Sequence, residues 1–230
     1  MPISLKSKIL PAGLALLLLI LSVPQTVDSV LWLMTGDIAD QLGKESPAAP
    51  DQAASNAALL EKADAWTGDP KARIRAGVLR LRLATISNAH IDKNQLQRAI
   101  DDLTSGLARS PTNAYGWTAL ADAYRAEGEL IKAKKAYTSS LLLDDYDPEL
   151  SLWRCELGLQ LWSQMDTDDR RMWNNQVRLA WDSYKGRGLL DIAHRDAGAA
   201  LLIRLALITE PTQLKDFDRN FSDEVKRFGR

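Results

Sequence analysis

Beyond residue 55 the apolar residues recur at intervals of three and four, and no stretch alternates polar with apolar for long enough to make a strand. Short punctuation separates these segments: Gly68-Asp-Pro70, Ser110-Pro-Thr-Asn113, Asp147-Pro148, Asp166-Thr-Asp-Asp169, Lys185-Gly-Arg-Gly188 and Pro211. Helices joined by only a few residues fold back on one another as antiparallel neighbours. The expected class is therefore all-α, an α-solenoid of roughly eight or nine helices stacked as hairpins. Residues 55–66 read as a short helix, and 70–89 as a second with Ile74, Val78 and Leu81 on its apolar face. Asp92 is placed to cap a third, to about residue 109, carrying Leu96, Ala99, Ile100, Leu103 and Leu107. Two more follow over 114–127 and 130–143. Later stripes run through Leu150, Trp153, Leu157 and Leu161, and through Met172, Trp173, Val177, Ala180 and Trp181. Leu189 to Thr209 reads as one buried helix, and Leu214, Phe217, Phe221 and Phe228 make an amphipathic closing helix.

The N-terminus differs in kind. Lys6 and Lys8 precede an apolar run from Ile9 to Val23, and a second apolar patch, Val30-Leu-Trp-Leu-Met34, follows. As a helix, Ile9–Val23 would span about 22 Å, short of a hydrocarbon core of roughly 30 Å, a length shared by signal peptides and anchors. Ser22-Val-Pro24 is a poor cleavage site, and Trp32 would sit at the interfacial aromatic level of a helix continued to Met34. An uncleaved single-pass anchor over 9–34 is thus expected, with a cleaved signal peptide as the alternative. Lysines before the run and Asp28, Asp37 and Asp40 after it orient residues 1–8 to the cytoplasm. Residues 35–54, rich in Pro and Ala towards their end, read as a linker to a helical domain over 55–230. In a bacterium this places the C-terminal domain in the periplasm, on the outer side of the inner membrane.

Charge and composition exclude several functions. The net charge of −1 provides no general attraction for nucleic acid. Residues 71–98 are basic, with Lys71, Arg73, Arg75, Arg80, Arg82, Lys93 and Arg98 against Asp92, yet carry no interleaved aromatics. Residues 144–169 are acidic against Arg154 alone, so a bipolar partner or a second copy of the chain is conceivable beside the plainer reading of two solvated faces. Cys155 is the single cysteine and sits in an apolar helical pattern, which makes it a small core residue. His90 and His194 are far apart, and neither has a His or Glu one turn away. Lys185-Gly-Arg-Gly188 follows a helix and reads as its C-terminal cap, not as a phosphate loop. No catalytic residue, metal site or cofactor is expected.

One repeat has a consensus to itself. Trp117, Leu120, Ala121, Tyr124, Gly128, Ala133 and Tyr137 stand at the spacing of a tetratricopeptide repeat (TPR), with Pro111 where a preceding repeat would end, and the chain resembles that family. The resemblance implies that these seven residues form the repeat's core. It also implies that a polypeptide partner lies in a concave groove over the first helix, touching Tyr115, Thr118, Asp122, Arg125 and Ala126. Chaperone-binding members place Lys and Asn where Thr118 and Asp122 stand, so a chaperone-tail ligand is not implied. The layout of an N-terminal span, few repeats and Trp-rich C-terminal helices resembles small anchored repeat proteins of exopolysaccharide synthesis and export. Asn113-Ala-Tyr-Gly116-Trp117-Thr-Ala-Leu120-Ala-Asp-Ala-Tyr124 is similar to the repeats of cytochrome c maturation proteins. Both resemblances imply a non-enzymatic adaptor for an envelope complex, with protein partners and possible self-association; an enzyme with no recognisable site is the rival class. Trp153, Trp162, Trp173 and Trp181 fall on two successive helices, and one aromatic cluster is expected of them.

Overall fold

A computed structural model describes residues 49–86, 91–184 and 186–228. Within them there are ten α-helices, one 3₁₀ turn and no strand, so the class is all-α. The segment 9–34 and His90 lie outside the described residues, and among those described no helix is long and apolar enough to cross a membrane. The chain divides into two compact units after Gly106.

The first unit holds α1 (Ala49–Thr67), α2 (Pro70–Thr85) and α3 (Lys93–Arg109) as far as Gly106. Helix α1 starts inside the segment read as a linker, because Ala53 is fully buried and belongs to the same apolar face as Ala57, Leu60 and Ala63. That face packs on Ala72, Ala76 and Leu79 of α2. Gly68 and Asp69 make the turn, and the Asp69 carboxylate accepts from Lys71 N at 3.0 Å while Pro70 opens α2. Asp92 caps α3, its Oδ1 accepting from Asn94 N and Gln95 N at 2.9 and 3.1 Å.

A polar network is buried inside this unit. Arg80 bridges Asp102 and Glu61, and Arg73 reaches the same two carboxylates at 2.9 and 3.1 Å. The hydrogen bond from Arg80 holds Glu61 below the usual carboxylate range, whereas burial pushes Asp102 up to about 6 against the pull of the two guanidiniums. Two of the seven basic residues of 71–98, Arg73 and Arg80, are thus paired internally.

The second unit begins with the hairpin of α4 (Ala114–Glu127) and α5 (Leu130–Leu143). Asn113 Oδ1 caps α4 by accepting from Gly116 N at 2.7 Å. Gly128 ends it with φ +90°, the left-handed conformation that glycine adopts without penalty, and its N–H reaches Arg125 O. Next come α6 (Pro148–Gln160), a 3₁₀ turn at Trp162–Gln164, α7 (Thr167–Tyr184), α8 (Arg187–Arg195), α9 (Ala197–Ala206) and α10 (Pro211–Phe228). Asp166 starts α7, its Oδ1 accepting from Asp168 N and Asp169 N at 3.0 Å each.

Leu189–Thr209, expected as one helix, is two. Asp196 leaves helical geometry (φ −146°, ψ 116°), ending α8 and accepting from Gly198 N to cap α9. The Asp196 carboxylate, by bonding the backbone two residues on, thereby interrupts the helical spacing of apolar residues that continues on either side of it. Nor is α9 buried all round: Ala199, Ile203 and Ala206 face inward, but Leu201, Leu205 and Ile208 are each more than half exposed.

The interior of this unit is fastened by polar side chains as well as by packing. Arg154 is fully buried and donates to Ser140 O, Ser140 Oγ, Asp144 O and Gln176 Oε1, so a cation closes the carbonyl-rich end of α5. Burial lowers its pKa from the usual arginine value. Beside it, Cys155 is buried and its thiol is pushed up by desolvation, the behaviour of an inert packing residue.

Candidate functional site

The face of α4 that the repeat pattern assigns to a partner can be followed residue by residue. Tyr115 is exposed, and its ring meets Trp153 of α6 edge-on at 5.9 Å between centroids. Asp122 is half-buried: Oδ2 accepts from Trp153 Nε1 at 3.0 Å, and Oδ1 accepts from Arg125 Nε at 2.9 Å. Arg125 and Ala126 are half-buried at the same end of the helix. Thr118 does not belong with them. It is fully buried, and its hydroxyl lies 3.1 Å from Ala114 O and 2.6 Å from Ser140 Oγ, so it fastens α4 to α5 and cannot touch a partner.

The expected repeat core divides similarly. Leu120, Ala121, Ala133 and Tyr137 are buried, and Tyr137 Oη donates to Arg154 O at 3.1 Å. Tyr124 is half-buried under the Lys132 ammonium, 5.5 Å from its ring centroid. Gly128 is exposed and acts as the cap. Trp117 is half-buried rather than central. Its Nε1–H donates to Pro111 O at 2.8 Å, so it closes the loop entering α4. The indole is amphipathic, and a partner for its N–H lay at the rim, not in the core.

Trp153 is the residue that sequence reasoning misplaced. Its helical stripe pointed to a cluster with Trp162, Trp173 and Trp181, but the four separate into distinct contacts. Trp162 lies edge-on to Trp173 at 5.2 Å, Trp181 meets Phe217 at 5.9 Å, and Trp153 turns to Tyr115 and Asp122. The signal available was Asp122 itself: Arg125 one turn on occupies one of its oxygens, and a half-buried carboxylate has a second that an indole N–H can reach, here from Trp153 of α6.

The remaining chemistry-bearing residues lie apart from this face. His194 is exposed in the last turn of α8 and stacks on Phe221 with ring centroids 4.6 Å apart. Among the described residues no group of His, Cys, Asp and Glu has the arrangement to hold a metal ion. An open cleft of about 310 Å³ lies between α7 and α10, lined by Trp181, Asp182, Asp216, Arg219 and Asn220. Arg219 is paired with Asp216 there at 2.9 Å, and Gln213 Nε2 donates to Asp182 at 2.7 Å. Lys134 is clamped by Asp166 and Asp169 at 2.9 and 2.8 Å, which raises its pKa. No protein family, curated protein or solved structure matches the chain.

Proposed function

We propose that the chain is a non-enzymatic adaptor of the tetratricopeptide type, membrane-anchored through residues 9–34, that binds a protein partner of a cell-envelope assembly. The setting we favour is polysaccharide synthesis or export, carried by the resemblance in layout alone. The observation that supports binding is the exposed side of α4 and α6, where Tyr115, Asp122, Arg125 and Trp153 interlock. Aromatic rings and a paired Asp–Arg on a rigid helical hairpin offer an extended peptide stacking surface and fixed hydrogen-bond sites without any reactive group. The anchor would raise the effective concentration of partners in the same membrane, so a weak interaction suffices.

Because Thr118 is buried and Asp122 holds Trp153, the binding test uses Tyr115 and Arg125. Tyr115→Ala with Arg125→Gln should leave helicity unchanged, lower melting only by the loss of one ring contact and the Asp122 pair, and remove the partner recovered by crosslinking from native membranes. The double variant should also reduce envelope polysaccharide output in the producing cell. Recovery of the same partner at wild-type yield would move the binding face elsewhere, with the surface around Trp162 next to be probed. Genes adjacent to this one would separate the polysaccharide setting from cytochrome c maturation.

A further inference from the structure

The connection between α5 and α6 combines a rigid backbone with side chains that the fold does not use. Leu142, Leu143, Asp144, Asp145 and Tyr146 are all exposed, Leu142 to 72% and Tyr146 to 76%. Beneath them the backbone is held from inside. Arg154 Nη1 donates to Asp144 O at 2.6 Å, and Gln176 Nε2 donates to Asp145 O at 2.6 Å; both donors come from fully buried residues. Asp144 Oδ1 accepts from Tyr146 N at 3.2 Å, and Asp147 Oδ1 caps α6 by accepting from Glu149 N at 2.9 Å. Arg154, which also closes the end of α5 through Ser140, and Gln176 each give one hydrogen bond to this turn, so its backbone is fixed by buried donors of the core.

The surface so fixed has a definite chemistry. Single exposed apolar side chains are ordinary on a surface, but here Leu142, Leu143 and Tyr146 are exposed together within five residues. Asp144, Asp145, Asp147 and Glu149 surround them in sequence, and none forms an ion pair among the described residues. The buried Arg154 feels Asp147, Asp144 and Asp145 and offsets part of their field. An anionic membrane surface would be repelled by these carboxylates. A metal is disfavoured too, since no group of ligands with suitable geometry is present among the described residues.

We propose that the Leu142–Glu149 turn is a preorganised docking surface for a basic amphipathic segment of another polypeptide. The partner's apolar side chains meet Leu142, Leu143 and Tyr146, and its Lys or Arg side chains meet Asp145 and Glu149. Charge complementarity steers the encounter and selects the partner, while the apolar contacts and the fixed backbone slow its release. The surface does not involve Tyr115 or Arg125, so it operates separately from the face of α4.

The experiment uses the full chain and a synthetic helix-forming peptide, about four turns long, with Leu on one face and Lys on the other. A scrambled peptide of the same composition and a Glu-for-Lys peptide serve as comparisons, with anisotropy read at near-physiological salt. The Lys/Leu peptide should bind, and Leu142→Ser with Tyr146→Ala, or Asp145→Asn with Glu149→Gln, should each weaken it roughly tenfold or more. These side chains are exposed, so melting should hold in both double variants, and the Tyr115/Arg125 variant should bind like wild type. Equal binding of the scrambled peptide, or unchanged affinity in both double variants, overturns the proposal. Self-association, or association with phosphatidylcholine vesicles, that disappears with Leu142→Ser and Tyr146→Ala would assign the face to a second copy or to lipid, and overturns it as well.

Discussion

Asp166 shows how one exposed carboxylate can carry a pH dependence. The Asp169 amide first, and then the Lys134 ammonium, hold it down to about 2, below the ordinary aspartate value of 3.8. A depressed folded-state pKa contributes stability that is present above the unfolded value and lost as pH falls through the folded one. Its contribution should therefore be complete near neutral pH and disappear between about pH 4 and pH 2. Asp166→Asn retains an oxygen for the cap but not the charge. The melting difference between wild type and variant should be visible at pH 6 and should close by about pH 2, and a difference independent of pH would show that the ion pair contributes nothing. At this same scale the sequence was least informative about Thr118, Trp117 and Trp153. Each carries both an apolar body and a hydrogen-bonding group, and which of the two decides its position depends on where a partner atom lies.

Among the helices, close approach is decided by small residues. Gly158 of α6 lies against the Trp173 indole of α7 and the Tyr137 hydroxyl of α5, and a Cβ there would collide with both. Trp173 is itself fully buried, with Nε1 donating to Cys155 O at 3.0 Å, so it has little freedom to retreat. Gly158→Ala should cost about 1–3 kcal/mol through overpacking, despite alanine's better helix propensity. A chemical-denaturation midpoint equal to or above wild type would mean that α6 and α7 are less tightly joined than this packing implies. The helix ends at 109, 127 and 143 were legible because each lies beside a strong local signal: Ser110-Pro, Gly128 or Asp144-Asp145. The break at Asp196 was not. Apolar residues recur at helical spacing both before it, at Leu189, Leu190, Ile192 and Ala193, and after it from Ala197, and periodicity cannot distinguish one helix from two such patterns in succession.

For the molecule as a whole, the membrane prediction rests on Lys6, Lys8 and Ile9–Val23, all outside the described residues. The chain should stay in membranes through a carbonate wash, and a C-terminal alkaline-phosphatase fusion should be active in a bacterial host. A shortened chain in the soluble fraction would show cleavage instead, leaving the helical units to work without an anchor. Charge tells a comparable story at this scale. The basic stretch at 71–98 reads as a solvated face, with one end of a bipolar surface as the alternative, but Arg73 and Arg80 are taken up by Glu61 and Asp102. In the acidic stretch, Asp166, Asp168, Asp169 and Glu156 have cationic partners, so its unpaired charge is concentrated at 144–149.

The all-helical class was determined by the sequence alone, because period and punctuation are local properties read within a few turns of chain. The hairpin over 114–143 was determined in the same way, with Asn113 and Gly128 at its caps. The candidate faces were decided only in three dimensions. Trp153 meets Asp122 across 31 positions, and Arg154 reaches Ser140 and Gln176 on two other helices. Those contacts join elements whose relative placement follows from side-chain packing between helices, and no local pattern encodes which polar group will find which partner.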